Sequence, residues 1–267
     1  MLKKHLASLF QFELSKIHRL KDIHKGEECY FFGNGISLKW FDLNAFSDKI
    51  SIGSSVLPFH NSINEINLKY IMLTEPFWFY PHIYTKYFST SVSQPHLSRA
   101  YRKIVRDNQD IDFFFNLSNF PVIRSSNINF LFREILDERL PDNFLSKQID
   151  CFTGSLRMAT LMAVYMGFKH LYLVGCDYTH LPSRSKHWYE KGQGVFKDHL
   201  NYEKEFFNIA KDSINITTIT LDGKSEFIDS MTYKEFTGLD PSYQENNQII
   251  DDSYLKLLDT WPGYTIY

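Results

Sequence analysis

Residues 28–38 read Glu28-Cys29-Tyr30-Phe31-Phe32-Gly33-Asn34-Gly35-Ile36-Ser37-Leu38. Four apolar residues in a row follow a charged one and stop at Gly-Asn-Gly, the pattern of a strand buried on both faces that ends in a tight turn. Ser37 and the periodic Leu38, Phe41 and Leu43 then predict a helix leaving that turn. A buried strand feeding a helix through a glycine turn is the opening unit of a parallel α/β sheet.

Working outward, Lys49-Ile50-Ser51-Ile52-Gly53 and Tyr70-Ile71-Met72-Leu73 repeat the short buried run, the second closed by Thr74-Glu75-Pro76. Residues 77–110 mix aromatic side chains with His82 and His96 and read as helix and loop, and Asp112-Phe113-Phe114-Phe115 is a further strand. Residues 127–147 show little pattern. Thr153-Gly154-Ser155 starts a helix that is apolar nearly all round, with Thr153 or Ser155 as its cap; Gly167 ends it, and His170–Gly175 returns as a strand. Residues 179–200 are polar and loop-like, 202–211 helical, and 214–221 a strand. Strands alternating with helices imply a mostly parallel sheet with helices on both faces.

Three regions are expected: an amino-terminal helix over 1–24, a main domain over 25–240 with a lid at about 179–202, and a carboxyl-terminal tail over 241–267 with one short helix. Leu2, Leu6, Leu9, Phe10, Leu14, Ile17 and Leu20 recur at helical spacing, opposite Lys3, Lys4, Lys16, Arg19 and Lys21. Such a helix packs on its own domain, rests on an anionic membrane, or serves as a contact between copies of the chain.

Composition narrows the classes of function. The 267 residues are 43% hydrophobic and 16% aromatic, enough for a large core. With 29 basic and 31 acidic side chains the chain has no global footprint for nucleic acid. Cys29, Cys151 and Cys176 are an odd set without metal-ligand spacing, which fits a reducing compartment rather than a disulfide framework. No run is long and apolar enough to span a bilayer, and Met1–Phe12 lacks the core of a signal peptide, so a cytoplasmic protein is expected.

In open parallel sheets ligands bind beyond the carboxyl ends of the strands. Gly33-Asn34-Gly35 either lets backbone amides approach a phosphate or simply makes a turn. A dinucleotide fingerprint needs its third glycine where Leu38 stands, and no Lys-Ser/Thr follows as in a P-loop, so neither site is indicated. Asp177 is positioned to receive a ribose hydroxyl or a metal, or to cap the next turn. Glu75 is positioned to bind a base or sugar, or to be a solvated loop carboxylate. His187, Trp188, Tyr189 and His199 fall in the polar segment, where a lid supplies an acid or base, or where they are ordinary surface residues.

Two stretches resemble a known group. Residues 25–38 are similar to the "GNGPSL" opening of the bacterial family 42 sialyltransferases and of the related motility accessory factor and 6-hydroxymethylpterin diphosphokinase-like proteins. Thr153-Gly154-Ser155 followed by Ala163–Tyr178 resembles their second signature, a Thr/Ser-Gly helix start and "LGYKxIYLxGxD". His199-Leu200-Asn201-Tyr202 is similar to the histidine-containing segment that comes next. The likeness runs over about residues 25–238.

The resemblance implies a Rossmann-like fold of the glycosyltransferase A type and an inverting transfer from a CMP-activated sugar with no essential metal. The acceptor would be a surface glycan, lipopolysaccharide or capsule. It implies that Gly33, Asn34, Gly35 and Ser37 surround the nucleotide and that Thr153, Gly154 and Ser155 face the donor. Asp177 and Tyr178 would close the site, Tyr189 would bind phosphate, and His199, with His187 as the other candidate, would be the catalytic base. The sequence departs from the pattern at Ile36 in place of proline, at Ser55 where asparagine is expected, and at Glu75, a carboxylate unfavourable beside a carboxylated sugar. Those departures favour the wider group over the sialyltransferase branch. The alternatives are a diphosphokinase using ATP and Mg²⁺, with Glu75 and Asp177 holding the metal, and a non-catalytic nucleotide-binding protein.

Overall fold

The computed structural model describes residues 9–80, 95–132, 154–177, 183–197 and 203–259. Strands β1 (Glu28–Phe32), β2 (Ile50–Ser54), β3 (Asn67–Leu73), β4 (Asp112–Asn116), β5 (Ile128–Leu131), β6 (His170–Val174), β9 (Asn215–Thr220) and β10 (Asp229–Thr232) form one sheet of eight. Its order is β10-β9-β6-β1-β2-β3-β4-β5, and every pairing is parallel. The chain runs outward from β1 to β5, returns to place β6 on the free side of β1, and then runs outward the other way. A separate two-stranded antiparallel hairpin joins β7 (Ser183–Arg184) to β8 (Phe196–Lys197).

The apolar runs are explained by the two faces they serve. In β1, Tyr30 and Phe32 enter one core while Cys29 and Phe31 enter the other; in β4, Phe113 and Phe115 face one way and Phe114 the other. All three phenylalanines are fully buried, each contributing about 1.5–3 kcal/mol of transfer free energy, so a run that alternated with polar residues would leave one face uncovered. One face is covered by helix α2 (Pro95–Asp107) and the short carboxyl-terminal helices, including α6 (Asn246–Ile249) and α7 (Asp252–Leu258). The other is covered by α3 (Ser155–Tyr165) and α4 (Lys204–Ala210).

The structure bears out the parallel α/β sheet and revises several local expectations. No α-helix follows the Gly33–Gly35 turn. The chain makes two 3₁₀ turns, Ile36–Lys39 and Leu43–Phe46, and the Asp42 side chain accepts from the Asn44 amide at 3.0 Å to restart the second. Short polar side chains that bond nearby backbone compete with continuous helix, and Asp42 does so here. α3 has Gly154 at its N-cap with φ +100° and no side-chain cap, because the Ser155 hydroxyl instead donates to the Met72 carbonyl at 3.1 Å. β5 and β10 carry no long apolar run and were not legible.

Within the region expected as a tail, residues 249–258 contribute to the core. Ile249, Ile250, Leu255 and Leu258 are buried, the Asn61 amide donates to the Ile249 carbonyl at 2.8 Å, and the Gln244 amide to the Lys39 carbonyl at 2.7 Å. At the other end, residues 1–8 of the expected amino-terminal helix lie outside the described residues. Helix α1 (Gln11–Ser15) and a 3₁₀ turn (Lys16–Leu20) bury Leu14, Ile17 and Leu20, while Leu9 and Phe12 are exposed. Among the described residues no helix is long and apolar enough to cross a membrane.

Candidate functional site

Strand order reverses between β1 and β6, and the carboxyl edge at such a reversal is where parallel sheets bind ligands. Gly33, Asn34 and Gly35 leave β1 on one side of the reversal, and Gly175, Cys176 and Asp177 leave β6 on the other. The two turns are in direct contact. The Gly33 amide donates to the Val174 carbonyl at 2.8 Å and the Gly35 amide to the Gly175 carbonyl at 2.6 Å. A Cβ on Gly33 would stand 2.4 Å from the Gly175 carbonyl oxygen, and one on Gly35 would stand 2.1 Å from Asp177 Oδ2. These glycines are required by close packing against β6, and their amides are bonded there, which agrees with the turn alternative for Gly33 and Gly35.

Asp177 occupies the place beside the turn. It is 4% exposed, and its Oδ2 accepts from the Ser37 amide at 2.8 Å. Burial raises its pKa to about 6 against the lowering effect of that amide. The bond is to the turn that leaves β1, a partner that none of the sequence alternatives for Asp177 named.

Asn34 is the one residue between Phe31 and Lys39 with partial exposure. Its side chain is held on three sides. Oδ1 accepts from the Ser54 hydroxyl at 2.7 Å and from Trp188 Nε1 at 3.4 Å, and Nδ2 donates to the Ser55 hydroxyl at 3.5 Å. Ser54 and Ser55 are both 3% exposed at the end of β2, so the structure brings Gly33, Asn34, Gly35, Ser37, Ser55 and Asp177 together.

Glu75 stands at the end of β3. Its Oε2 is shut off from solvent with no hydrogen-bond partner among the described residues, and burial raises its pKa. The loop that carries it is fixed from β4. Asn119 Nδ2 donates to the Glu75 carbonyl at 3.1 Å, its Oδ1 accepts from the Phe79 amide at 3.1 Å, and the Ser118 hydroxyl accepts from the Phe77 amide at 3.0 Å. Phe77 has φ +58°, a left-handed conformation that a bulky side chain adopts only when its surroundings impose it. Glu75 is thus not the solvated loop carboxylate that was one of its two readings.

The described part of the expected lid, residues 183–197, is clasped to the body. Gly35 and His187 form an antiparallel bridge, and the Trp188 amide donates to the Asn34 carbonyl at 3.1 Å. Trp188 and Tyr189 are 0% and 1% exposed, with the Tyr189 ring stacked on His187 at 5.0 Å. Lys39, fully buried, donates to the Glu190 carbonyl at 2.6 Å, the Gly192 carbonyl at 2.9 Å and Asn246 Oδ1. Asn246 Nδ2 in turn donates to the Tyr189 carbonyl at 2.7 Å. Burial lowers the Lys39 pKa to about 8.

His187 has a partner that sequence reasoning missed. One oxygen of Glu190 lies 2.8 Å from His187 Nδ1 and accepts the His187 amide at 2.8 Å. Those bonds hold the Glu190 carboxylate below its usual range despite burial. A carboxylate on Nδ1 fixes the tautomer that keeps the proton there, so that Nε2 is the basic nitrogen. The signal available was the His-x-x-Glu spacing. Lys39 and Asn246 were also missed, and neither carries a pattern that marks it; Ser54 at a strand end and Trp188 in the polar segment were marked by position but not as partners of Asn34. Gly154 and Ser155 lie at the start of α3, tied to β3 through Met72. Thr153, Tyr178 and His199 fall outside the described residues. Among the described residues no three His, Cys, Asp or Glu side chains are grouped to hold a metal.

No family model matches the chain, and no curated protein matches it in sequence. Solved structures do. A sialyltransferase of Campylobacter jejuni, CstII, in complex with cytidine-5'-monophosphate is 13% identical with a TM-score of 0.46, covering 88% of this chain and 98% of its own. The alpha-2,3-sialyltransferase Cst-I of the same organism is 15% identical with a TM-score of 0.47, covering 83% and 86%. A MAf glycosyltransferase from Magnetospirillum magneticum AMB-1 is 11% identical with a TM-score of 0.43, covering 93% of this chain and 41% of that one.

Proposed function

We propose that this protein is a glycosyltransferase that moves a sugar from a nucleotide-activated donor, a CMP-sugar, to a hydroxyl of a glycan or glycolipid acceptor. The observation that carries the reading is the Asn34 cluster. An asparagine fixed by Ser54, Ser55 and Trp188 stands at the strand-order reversal of a parallel sheet, within the motif that resembles nucleotide-sugar enzymes. Asn34 Oδ1 has both acceptor sites taken by Ser54 and Trp188, so what the held amide offers a nucleotide's phosphate or ribose oxygen is the second Nδ2 hydrogen.

In an inverting transfer the acceptor oxygen forms a bond to the anomeric carbon as the bond from that carbon to the phosphate oxygen breaks. The nucleotide leaves with the electron pair, and a base takes the acceptor proton. The base is a histidine of the segment after β6. Resemblance favours His199. Geometry supports His187, whose Nδ1 is engaged by Glu190 and whose bridge to Gly35 holds it beside the strand-order reversal. Glu75, whose Oε2 is shielded and has no partner among the described residues, favours a donor that offers it a hydroxyl or amine over one that offers a carboxylate.

The diphosphokinase alternative needs Glu75 and Asp177 to share Mg²⁺, and Asp177 Oδ2 is already bonded to the Ser37 amide, which weighs against that pair as the metal's ligands. A thermal-shift series with CMP, UDP, GDP and ATP, each with and without Mg²⁺, tests the proposal. CMP is expected to raise the unfolding midpoint without Mg²⁺, and Asn34→Ala to abolish that rise. Stabilisation by ATP and Mg²⁺ alone would replace the reading with a kinase. Replacing His187 and His199 separately by Gln is then expected to lower transfer at least about 100-fold in the variant that lacks the base, with the nucleotide shift retained.

A further inference from the structure

The outer face of α2 carries a single row of basic side chains. Leu97, Tyr101, Ile104 and Val105 face the core, while His96, Arg99, Lys103 and Arg106 lie on the exposed side, each three or four residues from the next. The row spans about 15 Å of helix at the standard rise. It borders a groove of about 580 Å³ between α2 and α7, where Leu257 lines the other side.

The row is costly to the helix alone, because like charges at this spacing repel. The carboxylate that relieves it is Asp107, shared between Lys103 Nζ at 2.5 Å and Arg106 Nε at 3.2 Å, and among the described residues Arg99 forms no ion pair. Arg102, one position off the row, points inward and donates to the Phe79 carbonyl at 3.0 Å and the Val122 carbonyl at 2.6 Å. Its charge therefore adds to the groove from a fixed position. The chain as a whole has two more acidic than basic residues, so this surplus is local rather than a share of a basic protein.

Direction adds a second constraint. A helix joining two parallel strands runs antiparallel to them, so α2 starts at the carboxyl edge of the sheet. The bond from Arg102 to Phe79 ties it to the loop that carries Glu75. The row thus leads from the edge that holds the candidate site along the flank of the molecule. Basic side chains in file along a groove match an extended chain; a planar bilayer has no strand to lay in it.

We propose that this groove binds a polyanionic glycan, and that the acceptor is therefore an acidic saccharide chain held along α2 with its reacting end at the carboxyl edge. Calling the ligand the acceptor rests on the glycosyltransferase reading; the polyanion groove itself does not.

Titration calorimetry of the full chain with a size-defined sulfated octasaccharide tests the groove, with a neutral dextran octasaccharide and phosphatidylglycerol-containing vesicles as the other arms. The sulfated chain is expected to bind and the dextran not. The triple variant Arg99→Gln, Lys103→Gln, Arg106→Gln should weaken binding at least about 10-fold and reduce the log–log salt slope by about one per cation removed. Its unfolding midpoint should not fall, and its response to CMP should stay unchanged. Absence of octasaccharide binding, equal binding by the triple variant, or vesicle binding alone that depends on the three cations would each overturn the proposal. Loss of CMP binding in the parent with the octasaccharide result intact would remove the donor reading and leave the groove.

Discussion

Two buried charged side chains at the carboxyl edge of the sheet are treated in opposite ways. Lys39 is surrounded by the Glu190 and Gly192 carbonyls and Asn246 Oδ1, one acceptor for each of its three protons. Among the described residues Glu75 keeps one oxygen without a partner, on a loop held by Asn119 and strained at Phe77. A buried charge whose partners are all supplied joins elements together, whereas one left short is retained at a cost that a ligand can offset. The first reads as the clasp of the site and the second as part of its working surface.

The largest expected effect breaks the clasp. Lys39→Ala would leave three oxygens facing a void and should lower stability by about 3–5 kcal/mol, read by urea unfolding. Limited proteolysis within 183–197 should accelerate with it, and a loss under about 1 kcal/mol would show that Lys39 does not hold the segment. Glu75→Gln should behave in the opposite sense. Removing a buried carboxylate should leave stability equal or higher at pH 8 while transfer falls, and a marked drop in the unfolding midpoint would make Glu75 structural.

The smallest effect belongs to Asp177. Its folded pKa of about 6 lies above the ordinary value of 3.8, so the folded state binds the proton more tightly than the unfolded one between those values. The ionised form is the unfavourable one, and this group's contribution to stability worsens as pH rises through about 6. Asp177→Asn keeps an acceptor for the Ser37 amide. Its midpoint relative to the parent should therefore be more favourable at pH 8 than at pH 5, and a pH-independent difference would contradict the burial argument.

The parts of this molecule that could be read in advance share one property. β1, β3, β4 and β6 are sandwiched between two cores, so each must be apolar at nearly every position, and a run such as Phe113-Phe114-Phe115 announces itself. The carboxyl ends of those runs then pointed to Gly33–Ser37, Ser55, Glu75 and Asp177. The 3₁₀ turns after Gly35 escaped notice because Leu38, Phe41 and Leu43 satisfy a helical period while Asp42 interrupts the helix by bonding its own neighbourhood. The carboxyl-terminal segment looked like a tail because its buried residues, Ile249, Ile250, Leu255 and Leu258, are spread over short helices too brief to show a period.

Sequence alone determined that the chain forms a parallel α/β sheet and where most of its strands end, because burial on two faces and tight turns are written in consecutive residues. Only the tertiary structure decided that β6 returns beside β1, that Gly33 and Gly35 are spaced for packing, and that Glu190 holds His187. It also decided that Lys39 reaches residues 151 and 207 positions away to clasp the site. Such bonds depend on where distant backbone oxygens come to rest, and a carbonyl oxygen is the same in every residue, so no local pattern records which one a lysine will meet.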